Sequence, residues 1–187
     1  MARTLTFVLG GARSGKSAFA QQLAVERAGD HVLFLATLRE TRESLDDPEM
    51  QQRIARHRAS RPATWRTHVI EDDLDAIADV IAQSGAACIL LDCLSLYISG
   101  RLFMQSELPA NPEDAALAAT DALLDVYRAS DVPWIIVSNE VGMGIVPDNP
   151  WARAYRDALG RANQVVAQAA DEAFFIVAGL PIRLKDQ

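Results

Sequence analysis

The run Gly10-Gly11-Ala12-Arg13-Ser14-Gly15-Lys16-Ser17 satisfies G-x-x-x-x-G-K-[ST] in full. It follows a short apolar run, Leu5–Leu9, and opens a helical pattern, Lys16–Ala28. That context turns a glycine-rich string into a phosphate-binding loop. Glycines let successive backbone N–H groups turn toward phosphate oxygens with no Cβ in the way. The following helix adds its positive end. Lys16 offers a point charge to β- and γ-phosphates, and Ser17 offers a hydroxyl to Mg²⁺. The pattern predicts a purine nucleoside triphosphate bound with Mg²⁺ through Gly10–Ser17 and leaves the reaction open.

Further short apolar runs lie at Val32–Ala36, Cys88–Leu91, Trp134–Val137 and Phe174–Val177. Runs apolar throughout suit strands of a parallel sheet covered on both faces. Helical patterns lie between them. Asn111-Pro112 and Asn149-Pro150 read as N-cap followed by first-turn proline. From Trp151 to Ala169 an apolar stripe recurs at helical spacing. Alternating strands and helices predict an α/β fold of the P-loop NTPase kind, with a mostly parallel central sheet flanked by helices. Ala178-Gly179-Leu180-Pro181 reads as a turn into a last, antiparallel edge strand. The irregular stretches are Leu38–Asp47, read as a mobile loop, and Leu102–Asn111. The 187 residues suit one nucleotide-binding transferase domain spanning 1–187.

The formal net charge of −7 disfavours nucleic acid as a partner. No stretch approaches the ~20 apolar residues of a membrane span, and the N-terminal run is too short for a signal peptide. Cys88 and Cys93 have neither zinc nor CxxC spacing and read as reduced, buried thiols. These features predict a cytoplasmic protein.

Two constellations can add chemistry to the loop. Asp92 ends the Ile89–Leu91 run, where P-loop enzymes place a Mg²⁺-holding carboxylate; it could instead cap a helix starting near Cys93. Arg53, Arg56, Arg58, Arg61 and Arg66 crowd around His57. Pro62 predicts that a helix ends near Arg61, with His57 in its last turn. One reading is a triphosphate-binding face with a nucleophilic imidazole, kept neutral by neighbouring cations. The other is a solvated face paired with Glu43, Asp46, Asp47 and Glu49. His31 and His68 read as structural or exposed. A second glycine loop, Asn139–Pro147, follows the Trp134–Ser138 run, where Asn139 and Glu140 either contact a ligand or only turn the chain.

Together these residues resemble the bifunctional adenosylcobinamide kinase / adenosylcobinamide-phosphate guanylyltransferase family of cobalamin biosynthesis. The resemblance rests on Gly10–Ser17, Ala36-Thr37, Arg53-Ile54, His57, Arg61-Pro62, Trp65 and Leu90–Leu94. It extends through Ser138–Pro147, Tyr155-Arg156-Asp157, Gly160-Arg161 and Asn163-Gln164. It implies that ATP or GTP phosphorylates adenosylcobinamide. It further implies that GTP guanylylates His57, and that adenosylcobinamide phosphate takes GMP from that histidine. It carries Lys16 over as catalytic and adds nucleotide contacts at Ala36, Thr37, Leu38, Arg58, Ala59, Ser60 and Arg61. Ser17 and Asp92 are implied Mg²⁺ ligands, and a homotrimer with active sites near subunit boundaries is implied. Two departures stand out: Arg56 directly precedes His57 where some relatives have a second histidine, and the acid after Trp65 is delayed to Glu71. A kinase lacking guanylyl transfer and a GTP-binding switch are the alternatives. A GTP-binding switch would carry an Asn-Lys-x-Asp element and an Asp-x-x-Gly, and this sequence has neither the first nor the second after Asp92.

Overall fold

The computed structural model describes residues 3–37, 47–70, 74–103 and 108–186, with the side chains of Met50, Arg53, His57 and Asp75 outside that description. Leu38, Glu43, Asp46 and Glu71 lie outside the described residues, as do most of the stretch 38–47 and residues 104–107 of the second irregular stretch.

The elements run β1 (Leu5–Gly10), α1 (Lys16–Ala28), β2 (Val32–Ala36), α2 (Pro48–Ala59), β3 (Arg66–Val69), α3 (Leu74–Ser84), β4 (Cys88–Asp92), α4 (Leu94–Phe103), α5 (Pro112–Ala129), β5 (Trp134–Asn139), α6 (Pro150–Ala169), β6 (Glu172–Val177) and β7 (Leu180–Lys185). They form one seven-stranded sheet in the order β3-β2-β4-β5-β1-β6-β7. Every pairing is parallel except β6 with β7. The expected α/β class and the antiparallel C-terminal edge are therefore both present.

The strands are apolar throughout because both faces are covered. Leu5, Phe7, Leu33, Leu35, Ile89, Leu91, Trp134 and Ile136 face one core, closed by residues of α3, α4, α5 and α6. Val8, Val32, Phe34, Cys88, Leu90, Ile135 and Val137 face the other, against Ala20 and Ala24 of α1. The alternation is the two-residue strand period read on two buried faces. Cys88 and Cys93 are free and buried, as expected.

Both asparagine caps form. The Asn149 carboxamide oxygen accepts the Trp151 and Ala152 N–H groups at 2.8 and 3.3 Å. Asn111 accepts the Asp114 N–H at 3.3 Å. Trp151 departs from the predicted stripe of α6. It is 39% exposed and leans on Phe103, with ring centroids 5.6 Å apart.

Two differences matter for the site. Strand β3 goes beyond the expected elements, because an edge strand with a largely exposed face, Arg-Thr-His-Val, carries no apolar run. It removes Arg66 from the arginine cluster: Arg66 pairs with Leu33 in the ladder and donates to the Ser84 carbonyl at 3.0 Å. Strands β1, β4 and β5 also run one or two residues further than their apolar runs, so Gly10, Asp92 and Asn139 are strand termini.

Candidate active site

Parallel strands share a direction, so the C-terminal ends of β1, β2, β4 and β5 meet at one edge. Open α/β sheets bind ligands there. Gly10 ends β1, and the loop 11–15 turns into α1 at Lys16. A Cβ on Gly10 would stand 2.5 Å from Ser14 Oγ and 2.8 Å from the Ile176 carbonyl oxygen, so only glycine lets the loop close here. Gly15 reaches φ +95, a left-handed conformation, and Arg13 sits at φ +59. Ser14 Oγ is buried with no hydrogen-bond partner among the described residues. Lys16 is buried, and its ammonium curls back onto the Gly11 carbonyl at 3.1 Å. Ser17, half-buried, follows in the first turn of α1.

Asp92 is not beside the loop in the sheet, because β5 lies between β1 and β4. Helix α1 nonetheless packs against β4, and the local electrostatics join the two. Burial raises the Cys93 thiol pKa above its ordinary value; adjacent Asp92 adds to that, while Ser95, the Leu96 backbone and Lys16 oppose it. Burial lowers the pKa of the Arg61 guanidinium, which Asp92 offsets and Arg58 reinforces. Asp92 and Lys16 thus both act on Cys93, and Asp92 and Arg58 both act on Arg61. Helix α4 starts at Leu94, and its first-turn Tyr97 N–H goes to the Cys93 carbonyl.

The arginine-bearing segment is attached to this edge at its far end. Helix α2 stops at Ala59, as Pro62 predicts. The Arg61 guanidinium lies 4.0 Å from the Phe34 ring centroid and donates to Thr67 Oγ1 at 3.2 Å. Gln21 of α1 reaches Ser60 Oγ at 3.5 Å, and the Trp65 indole N–H holds the Gly29 carbonyl at 3.0 Å. Arg58, Ala59 and Ser60 are exposed and Arg61 is half-buried. His57 stands in the last turn of α2; its side chain and that of Arg53 lie outside the described residues. His31 is exposed and His68 half-buried in β3.

Ala36 ends β2 level with Asp92. The Thr37 hydroxyl is engaged internally: it donates to the Cys93 carbonyl and accepts the Cys93 N–H, each at 2.8 Å. Thr37 therefore clamps the chain just after Asp92.

A polar network that no sequence pattern assembles closes the other side. Ser138 Oγ donates to Asn163 Oδ1 at 2.7 Å, and Asn163 Nδ2 donates to the Asn139 carbonyl at 3.1 Å. Asn139 Nδ2 reaches Ser95 Oγ at 2.9 Å, which lies 2.8 Å from Cys93 Sγ. Tyr155 donates to the Ser95 carbonyl at 3.0 Å. Burial first, and then Cys93, push the Tyr155 phenol up to about 12. The Glu140 N–H donates to the Gly10 carbonyl at 3.0 Å and ties the second glycine loop to the first. Beyond it Met143, Ile145 and Val146 are exposed. Ser138-Asn139 and Asn163-Gln164 are visible as separate strings, but only the hydrogen bonds from α6 to the end of β5 join them.

The sequence profile described as cobinamide kinase / cobinamide phosphate guanyltransferase matches residues 6–184. The chain is 39% identical over 181 residues to the bifunctional adenosylcobalamin biosynthesis protein CobP of Pseudomonas aeruginosa, covering 96% of each. It is 37% identical over 191 residues to CobU of Salmonella typhimurium, which carries the same description, covering 97% of this chain and 99% of that one. Among solved structures, an ATPase domain superposes with a TM-score of 0.55 at 15% identity, over 92% of this chain and 69% of that one. At that identity the likeness speaks for the P-loop ATPase fold alone.

Proposed function

This chain belongs to the cobinamide kinase / cobinamide phosphate guanyltransferase family, and from that premise we propose that it catalyses both reactions, with adenosylcobinamide and adenosylcobinamide phosphate as acceptors. The observation that carries the reading is the loop that Gly10 and Gly15 let close at the end of β1, with Lys16 buried against it, at the same sheet edge where β4 ends in Asp92. A phosphate loop and a strand-end carboxylate at one edge suit a triphosphate undergoing transfer.

In the kinase step ATP or GTP supplies the γ-phosphoryl group. The acceptor hydroxyl oxygen forms the new P–O bond, its proton departs, and the bond to the β-phosphate oxygen breaks. In the guanylyl step an imidazole nitrogen of His57 attacks the α-phosphorus of GTP and pyrophosphate leaves. A phosphate oxygen of the acceptor then attacks the same phosphorus, the P–N bond breaks and His57 is released. Splitting the transfer in two lowers each barrier. Loop N–H groups and Lys16 hold the phosphates, while Arg58 and Arg61 offset charge on the transferring group. The segments Ala36-Thr37-Leu38 and Arg58–Arg61 are the proposed flanking nucleotide contacts.

The residues also fit Mg²⁺. Ser17 and Asp92 offer hard oxygen ligands, and no group of three or more His, Cys, Asp or Glu side chains forms a metal cage among the described residues. Mg²⁺ suits such a sparse set because it retains waters and shares substrate phosphates. When bound, it would neutralise phosphate charge.

We further propose that residues 1–187 act as one domain, in the cytoplasm, as a homotrimer with active sites near subunit boundaries. Among the described residues no helix is long and apolar enough to cross a membrane. Two free thiols suit a reducing compartment. The exposed apolar side chains of Met143, Ile145, Leu180, Ile182 and Leu184 suit contacts between copies. Light scattering on the purified chain tests this; a monomer at working concentration would reject it.

The central test is mass spectrometry after incubation with GTP. A GMP adduct on the peptide containing His57, lost in His57→Ala, is expected. Full guanylyl transfer by His57→Ala would end its nucleophilic role.

A further inference from the structure

The C-terminal hairpin meets the phosphate loop backbone to backbone. Strands β6 and β7 pair with Val177 opposite Leu180, leaving Ala178 and Gly179 as a two-residue turn. Both have positive φ, 52 and 80, as a type I′ hairpin turn requires. The Gly179 N–H donates to the Ser14 carbonyl at 2.8 Å. A Cβ on Gly15 would stand 3.1 Å from Gly179 Cα and 3.6 Å from Gly179 N. Ile176, next to the turn, supplies the carbonyl that crowds Gly10. The whole of β7 is exposed, while β6 places Ala173 in one core and Phe174 and Ile176 in the other.

We propose that Gly179 is a positioning residue for the nucleotide phosphates, acting through the Ser14–Gly15 peptide. That peptide is trans. A trans peptide carries its carbonyl and N–H on opposite sides. Holding the Ser14 carbonyl against the hairpin turns the Gly15 N–H away from it, toward the hollow of the loop. Phosphate affinity in such loops depends on N–H groups aimed inward before the ligand arrives. The turn is thus a rigid stop behind the loop, and its geometry is transmitted to the triphosphate. A Cβ on Gly179 itself meets nothing within 4 Å, so glycine serves conformation here rather than space. The inference rests on the nucleotide-site reading above.

The test is a series at the turn in the full-length protein: Gly179→Asn, Gly179→Ala, Gly179→Val and Ala178→Gly. Asparagine tolerates left-handed backbone and a β-branched residue does not. The nucleotide KM in the kinase assay should rise in the order Asn, Ala, Val, by about tenfold for Val, with kcat within about twofold. Ala178→Gly, which keeps the turn conformation, should match the parent. The melting midpoint without nucleotide, read by circular dichroism, separates local from global damage. If Gly179→Val does not fold, Gly179→Ala decides by the same split. Parental KM in the folded variants, or a fall in kcat at constant KM, would overturn the inference. An unaltered chain that shows no saturation by nucleotide would instead reject the nucleotide-site reading, and the bracing role with it.

Discussion

Lys16 shows how a single residue's role depends on what surrounds it. Its ammonium is buried and rests on the Gly11 carbonyl, inside the loop it serves. A triphosphate offers a stronger, charged acceptor, so the side chain is poised to exchange partners. On the proposal that one phosphate cradle serves both transfers, Lys16→Ala should weaken both; a loss of about 10²-fold or more in kcat/KM is expected in each assay. Undiminished kinase activity would count against a shared cradle. Cys88 supports a different residue-scale prediction. Burial, opposed by Arg27, pushes its thiol from 9.0 to about 11. An acid whose pKa is raised on folding is bound to its proton more tightly in the native state. Its stabilising contribution is complete below pH 9 and is lost as pH rises through about 11. The melting midpoint should therefore fall over that window, and Cys88→Ala should flatten the slope whatever it does to the midpoint at neutral pH.

At the scale of elements, α6 carries the most consequences. Its start is set by Asn149, which satisfies two orphan N–H groups. Its middle delivers Tyr155 and Asn163 to the ends of α4 and β5. Asn149→Ala should cost about 1 kcal/mol and lower the melting midpoint by roughly 2–4 °C. Denaturant titration measures the first and calorimetry the second. Element by element, the sequence is most legible where burial is complete. The apolar runs of β1, β2, β4 and β5 announce themselves, and so does α1, with its buried Ala20 and Ala24. Strand β3 is hidden, since its partner β2 supplies the hydrophobic side of the edge.

For the whole molecule, the sheet divides the core in two, and the site sits where its strands end. Adjacent residues of one strand serve different cores: Leu90 packs toward α1, and Leu91 toward α4, α5 and α6. Both are fully buried. Leu91→Ala should destabilise by about 2–5 kcal/mol, read by chemical denaturation, while the folded fraction keeps its nucleotide KM. A changed KM with unchanged stability would mean that this core sets the site directly.

The motif Gly10–Ser17, with the apolar run before it and the helical pattern after it, predicts a phosphate-binding loop from sequence alone, because the loop needs glycine at Gly10 and Gly15. The two-faced apolar runs determined the α/β class, since complete burial leaves a local signature. Other features depend on residues far apart in the chain. The packing of α1 on β4 brings Lys16 within electrostatic reach of Cys93, next to Asp92, across an intervening strand. The Thr37 clamp on Cys93, the Ser138–Asn163–Asn139–Ser95 network and the Gly179 contact to Ser14 join segments 56, 25, 44 and more than 160 residues apart. Hydrogen bonds of that reach depend on the sheet order, and no local pattern records the order in which strands lie.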